Sequence, residues 1–177
     1  HEEAERQAAL AIELCPDHAG ALLLLEERYG QSERFAELVE VLRRRADAAL
    51  DPLERQALLE RRAHLLDEAL GDSDAALAAY LNLVRLAPSP ASCIRLAALV
   101  LEKEAFRDIY DVAPVVGRAL IDSGRGAEAV PILEFATQRE AGEPLFALLA
   151  EAYESLNDAK RAADAWSAAG RTTDPVR

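Results

Sequence analysis

The sequence predicts an all-α fold built of antiparallel helical hairpins, and three observations support this prediction. Ala and Leu dominate the 177 residues while aromatic residues make up only 5%, a composition that favours helices. Helix start and stop signals recur with gaps of a few residues, which forces neighbouring helices to run antiparallel. No stretch between these signals alternates between apolar and polar residues, so no strand is predicted.

The helix starts are indicated by capping residues. Asp51-Pro52-Leu53-Glu54 combines an N-cap Asp, a Pro at the first helical position and a Glu that can reach back to the cap. Ser89-Pro90 is a similar start, and Asp72 and Asp158 can each cap the helix that follows. The expected helices cover 2–14, 18–30, 34–48, 52–70, 73–86, 90–103, 113–122, 126–139, 143–156 and 159–170. The segment 104–112 is ambiguous between a short helix and an irregular bridge.

The helix ends are indicated by residues that tolerate a left-handed backbone. Gly30, Gly71, Gly124 and Gly142 each follow a helical stretch, where glycine adopts this conformation at least cost. Asn157 can take the same role before Asp158. These residues predict the turns that join consecutive helices.

Large and small side chains recur with a regular period along the chain. A shift of 33 residues places Leu120 on Tyr153 and Gly117 on Ala150, so large meets large and small meets small. In the stretch 146–166, FALLAEAYESLNDAKRAADAW, Ala150 is followed by a second small position at Ala162. We expect these two alanines to let two helices approach closely. The large side chains that should fill the space around this contact are Phe146, Leu149, Tyr153 and Trp166.

This pattern resembles the tetratricopeptide repeat (TPR), a helix-turn-helix unit of about 34 residues. The resemblance implies a right-handed α-solenoid, and we expect one domain over 1–177. Its units are a half unit 1–17, then 18–50, 51–88, a short or irregular unit 89–109, 110–142 and 143–177. The sequence departs from the family pattern at Glu26, Leu38 and Arg45, which stand where small residues are expected, and it carries an extra residue before Gly71.

The resemblance also implies a partner-binding groove on the first helix of each unit. The residues carried onto groove positions are Leu23, Glu27, Glu60, His64, Asp67, Arg95, Leu99, Glu102, Arg118, Ile121, Ala147, Glu151 and Glu154. The set is acidic with a few apolar members, so a basic or basic-amphipathic peptide or helix would suit it. Equally, charged residues on exposed helix positions are ordinary solvated faces. The Lys and Asn of the family's clamp for acidic C-terminal tails are missing, so that function is not transferred.

Other functional classes find little support in the residues. The formal net charge is -12, which disfavours a nucleic-acid surface. The only histidines are His1, His18 and His64, and neither they nor the isolated Cys15 and Cys93 form a metal-binding or redox motif. No nucleophile elbow or phosphate loop is present. We therefore expect a non-enzymatic interaction module that has no cofactor, no metal and no catalytic residue.

The sequence also indicates the setting of the chain and leaves two alternative functions open. The chain begins at His1 and contains no Met, so we expect a piece of a longer protein, of bacterial type from its Ala- and Arg-rich composition. No apolar stretch is long enough to span a membrane, and a cytoplasmic location is favoured. One alternative is a structural spacer that self-associates through terminal hairpins, because the first helix should expose Leu10, Ile12 and Leu14. Another is an accessory domain of a larger enzyme.

Overall fold

The computed structural model describes residues 2–172, and within this range it contains helices and turns but no strand. The prediction of an all-α fold of helical hairpins is confirmed. The ten α-helices of this described range are α1 Glu2–Leu14, α2 Ala19–Gln31, α3 Phe35–Ala48, α4 Pro52–His64, α5 Ser73–Leu86, α6 Pro90–Lys103, α7 Ala113–Asp122, α8 Gly126–Arg139, α9 Glu143–Ser155 and α10 Ala159–Thr172. The ambiguous segment 104–112 contains a single 3-10 turn, Phe106–Ile109.

Side-chain caps form at the predicted helix starts. The Asp51 carboxylate accepts a hydrogen bond from the backbone N–H of Leu53, and Ser89 forms a reciprocal capping box with Ser92. Asp72 and Asp158 also accept bonds from backbone N–H groups in the turn that follows each of them. The predicted return contact of Glu54 to its cap is wrong, because Arg45 binds the Glu54 carboxylate at 2.7 Å instead.

The helix ends agree with the predicted stops at three positions and differ at two. Gly71, Gly124 and Asn157 have φ values of 63°, 72° and 59°, the left-handed conformation that was predicted. Gly30 lies inside α2, which runs on to Gln31, and the left-handed residue of that turn is Glu33. Gly142 is an extended N-cap of α9 rather than the end of α8.

The described residues fall into two compact units, the first ending at Leu86 and the second beginning at Ala87. In the first unit each helix packs on the next one along the chain, from α1 to α5. The prediction of one continuous domain over 1–177 stays a prediction. Short turns such as 32–34 and 123–125 make neighbouring helices antiparallel hairpins.

The second unit shows how consecutive hairpins stack. Each helix again packs on its successor, and two further contacts join helices that are two apart, α6 with α8 and α7 with α9. The helices α7 and α9 are the first helices of their hairpins, and α8 is a second helix. Because α6 contacts α8, α6 lies on the side of the second helices. The sequence pattern, in contrast, treats α6 as a first helix.

Small residues sit where two helices approach closely. Ala150 and Ala162 are both buried between α9 and α10. At Gly117 a Cβ atom would lie 2.7 Å from Leu133 Cδ2, so α7 and α8 are too close for any larger residue without a shift. Trp166 differs from its prediction as a filler of this contact, because 41% of it is exposed. Its indole N–H reaches the surface and donates to Glu154 Oε1 at 2.7 Å.

An ion-pair network replaces the small-residue contact between α2 and α3. Glu26 and Arg45, which occupy expected small positions, bind each other through largely buried side chains. Arg61 of α4 binds the second oxygen of the same Glu26 carboxylate. The charges satisfy each other. This hairpin therefore adds ion pairs to its apolar core of Leu22, Leu25 and Val41.

The extra residue before Gly71 is absorbed by a π-helical turn, Leu65–Ala69. The N–H of Leu70 donates to the carbonyl of Leu65, five residues earlier, at 3.0 Å. Single π-helical turns of this kind occur inside α-helices. The helix thus keeps its buried Leu66 in the core without shifting the residues that precede it.

Candidate functional site

The first unit has a cleft of about 700 Å³ between α2 and α4. Its lining residues are Leu23, Leu24, Glu26, Glu27, Gly30, Gln31 and Arg61. Two residues predicted for the groove, Leu23 and Glu27, thus lie together at one concave surface. Leu23 is 52% exposed, whereas Leu22 and Leu25 of the same helix are buried.

The charges of this cleft are partly neutralised from within. Glu26 is bound by both Arg45 and Arg61, so its carboxylate is fully engaged in ion pairs. Glu27 lies one residue further on and is exposed, with only a hydrogen bond from Gln31 Nε2 at 3.1 Å. The negative charge offered to a partner in this cleft therefore comes from Glu27 rather than from its more buried neighbour.

The predicted residues of α4 continue along the same unit. Glu60 is half-buried and accepts a hydrogen bond from Gln56 Nε2 at 3.0 Å. His64 is exposed, with its Nδ1 3.3 Å from the Tyr80 hydroxyl and 3.6 Å from the Glu68 carboxylate. Asp67 is half-buried within the π-helical turn. The turn thus carries Asp67 and leaves Glu60 and His64 on regular helix.

The second unit has a more apolar cleft of about 480 Å³ between α7 and α9. Its lining residues are Pro114, Val115, Arg118, Pro144, Ala147 and Leu148. Two predicted residues, Arg118 and Ala147, lie here, and Val115 is an exposed apolar residue that the sequence pattern did not select. Its signal was the position three residues before Arg118, which places both side chains on the same face of α7.

Arg118 of α7 and Glu151 of α9 form a bidentate ion pair. Arg118 donates from one guanidinium nitrogen to Glu151 Oε2 at 2.5 Å and from another to Oε1 at 2.9 Å. This bonding lowers the pKa of the Glu151 carboxyl and raises the pKa of Arg118. The Glu151 carboxylate is therefore neutralised by an arginine of the neighbouring hairpin. The apolar cleft beside this ion pair carries little net charge.

The remaining predicted residues divide into accessible and buried positions. Ile121 is half-buried at the end of α7, and Glu154 is exposed and bound by Trp166. Arg95 and Glu102 are exposed on α6. Leu99 is corrected, because it is only 1% exposed and belongs to the core. The cause is the packing of α6 against α7 and α8, which buries the face that a first helix would leave open.

The ion pairs of Glu26 were not predicted from the sequence, although the sequence contains an indication of them. Glu26 and Arg45 stood out as departures from the small residues of the pattern. Opposite charges at both departures indicate an ion pair in place of a close contact. Arg61 had no comparable signal, because it lies on an ordinary charged helix face.

Residues 2–172 offer few side chains arranged for metal binding or catalysis. In that range no three His, Cys, Asp or Glu side chains come together as a metal site would require. Cys93 is buried, which raises the pKa of its thiol, and Cys15 is an exposed single thiol. None of the described helices combines the length and apolar character needed to cross a bilayer.

Comparisons with known proteins give low similarities. No family model matches the chain, and no curated protein matches it. Among solved structures, MamA 41-end from Desulfovibrio magneticus RS-1 is 16% identical with a TM-score of 0.39, over 88% of this chain and 97% of that one. BtubC (BKLC) from P. vanneervenii is 14% identical with a TM-score of 0.38, over 99% and 92%. These values are too low to assign a family, partner or activity.

Proposed function

We propose that the chain is a non-enzymatic protein-interaction module that binds a basic-amphipathic peptide or helix on the exposed faces of its first helices. The observation that supports this most is the cleft between α2 and α4, where an exposed leucine stands beside an exposed acid. An apolar side chain of the partner would contact Leu23, and a basic side chain would meet Glu27.

The first unit carries the charge selectivity in this proposal. Glu27 and Glu60 are acidic positions on α2 and α4 that are not held by an arginine in any described ion pair. Complementary charge at such positions speeds encounter and fixes the register of a bound peptide. Taken by itself, the second unit offers an apolar cleft beside Arg118 and Glu151, which provides contact area and little charge.

Charge reversal in the first unit tests this proposal. We expect Glu27→Lys/Glu60→Lys to weaken binding of a four-turn Leu/Lys amphipathic peptide at least about tenfold. Fluorescence anisotropy of the labelled peptide measures the affinity. The same peptide with Glu in place of Lys should bind the natural chain weakly and the double variant more tightly.

The matched control has the same change in net charge at two exposed glutamates away from these faces. Glu13 lies on α1 and Glu140 follows α8, and both are exposed. Glu13→Lys/Glu140→Lys should leave peptide affinity within about twofold of the natural chain. Equal losses in the two double variants would mean that only net charge matters and would overturn the proposal.

A second candidate function is self-association through the first helix. Leu14 is 89% exposed and Leu10 is also exposed, as predicted, while Ile12 packs partly against the core. Light scattering over a range of concentrations tests it. A molar mass that rises with concentration in the natural chain, and not in Leu10→Ser/Leu14→Ser, would support this alternative.

A further inference from the structure

A second apolar surface lies at one end of the first unit, where two turns come together. The α1–α2 turn and the α3–α4 turn are on the same side because the helices alternate in direction. A cleft of about 380 Å³ opens between them. Its lining residues are Asp17, Ala19, Leu22, Leu23, Arg45, Ala48, Ala49, Leu50, Asp51 and Glu54.

Two strongly exposed leucines lie in and just after the α3–α4 turn that forms one side of this cleft. Leu50 is 98% exposed and Leu53 is 74% exposed, and Leu50 lines the cleft directly. We call Leu50, Leu53 and the cleft the turn patch. An exposed apolar surface with a polar rim is typical of an interaction site.

The fold gives no internal reason for these two leucines. Between them, Asp51 caps α4, and Ala49 on the other side of Leu50 is buried. Arg55 holds the same turn by donating to the carbonyls of Ala46 and Ala49. The turn is thus built by its neighbours, and Leu50 and Leu53 project into solvent.

The charges at the rim of the turn patch indicate its partner. Asp17, Asp51 and Glu54 are acidic, and the single arginine in the lining, Arg45, is bound to Glu26 and Glu54. An anionic membrane would be repelled by this rim. A second copy that docked through the same surface would bring the same acidic rim, and the two rims would repel each other.

We propose that the turn patch binds a basic-amphipathic segment of another protein, separately from the first-helix faces. A leucine-sized side chain of the partner enters the cleft beside Leu50, and its basic neighbours meet Asp17 and Asp51, which no arginine holds in the described ion pairs. Leu23 lines this cleft as well as the one between α2 and α4. Because it belongs to both surfaces, it is left unchanged in the test.

The test follows leucine methyl signals by NMR while a two-turn Leu/Lys peptide is added to the whole chain. We expect the Leu50 and Leu53 methyl signals, assigned through single Leu→Ile variants, to shift with saturation. Leu50→Ser/Leu53→Ser should weaken binding of this peptide at least about tenfold. Thermal melting checks that the double variant folds, as two exposed positions should allow.

Controls separate this surface from others. Leu86, exposed on α5 of the same unit, provides a matched variant, and Leu86→Ser should leave the affinity unchanged. Glu27→Lys/Glu60→Lys should leave the Leu50 and Leu53 shifts in place, so failure of the proposed groove and failure of the turn patch are distinguishable. Asp17→Lys should reduce the affinity.

Several outcomes would overturn the inference. One is a saturating titration in which Leu50 and Leu53 do not shift, and another is equal affinity for a Leu/Glu peptide. Self-association that depends on Leu50 would assign the surface to a second copy. Binding to phosphatidylglycerol vesicles that is lost in Leu50→Ser/Leu53→Ser would assign it to a lipid surface.

Discussion

Single small residues determine how closely the helices of a hairpin approach. Gly117 leaves room for the fully buried Leu133 between α7 and α8. Ala150 and Ala162 are the buried small residues between α9 and α10. Close-packed interiors have no spare volume at such points. A change of one side chain there affects the whole hairpin, whereas the adjacent exposed positions tolerate change.

The contact between α9 and α10 gives a test at this scale. Ala162→Leu should overpack the contact and lower the free energy of unfolding by about 1–3 kcal/mol. Ala163 is the next residue on α10 and is exposed, so Ala163→Leu should change stability by less than about 0.5 kcal/mol. Denaturant unfolding of both variants measures the difference. Equal stability of the two would show that Ala162 does not lie in a close contact.

Residue-level prediction from the sequence succeeded where size alone decides the environment. The buried Ala150 and Ala162 follow from the alternation of large and small residues. Trp166 was misplaced because its ring is apolar while its N–H prefers a surface acceptor, here Glu154. Size patterns do not contain this preference.

At the scale of elements, one added residue changes the local hydrogen bonding of a helix. The extra residue in the third unit is taken up as the π-helical turn Leu65–Ala69 within one continuous helical segment. The sequence indicated the extra residue but predicted an uninterrupted helix over 52–70. Periodicity shows that a residue is added, while local hydrogen bonding decides where it is absorbed.

The assignment of α6 also belongs to this scale. Its apolar pattern is compatible with either role in a hairpin, and the sequence pattern made it a first helix. Its contacts with α7 and α8 place it on the other side and bury Leu99. Which neighbour a helix meets is a property of packing, and one helix's own residues do not specify it.

The ion pair between Arg118 and Glu151 couples two neighbouring hairpins. A double-mutant cycle with Arg118→Gln and Glu151→Gln should give a coupling of about 0.2–1 kcal/mol at neutral pH, because both side chains are partly exposed. High salt should reduce it. A coupling of zero at low salt would show that the pair does not stabilise the stack.

The pH dependence of this coupling has a definite sign. The pKa of Glu151 in the folded chain lies below its ordinary value of 4.5, so the folded state holds its proton less tightly than the unfolded state. The stabilisation is therefore fully present above pH 4.5 and is lost as the pH falls through the lower, folded value. Urea unfolding of the natural chain and Glu151→Gln should converge in acid. Divergence in acid would contradict this sign.

For the whole molecule, the net charge of -12 favours basic partners. Its distribution matters more than its total, since Glu26 and Glu151 are held by arginines while Glu27 and Glu60 have no arginine partner among the described ion pairs. The sequence predicted an acidic groove from residue types alone. Of the acids predicted for the groove, Glu151 is neutralised by Arg118 of the neighbouring hairpin, whereas Glu27 and Glu60 keep their charge available to a partner.

The measurement that tests the central claim most directly is an amide NMR titration of the whole chain with the four-turn Leu/Lys peptide. The first-helix account predicts the largest shifts within the first unit on α2 and α4, including Leu23 and Glu27, with smaller shifts on α3 and α5. Shifts concentrated on α3 and α5, or no shifts at saturating peptide, would contradict binding on the first-helix faces.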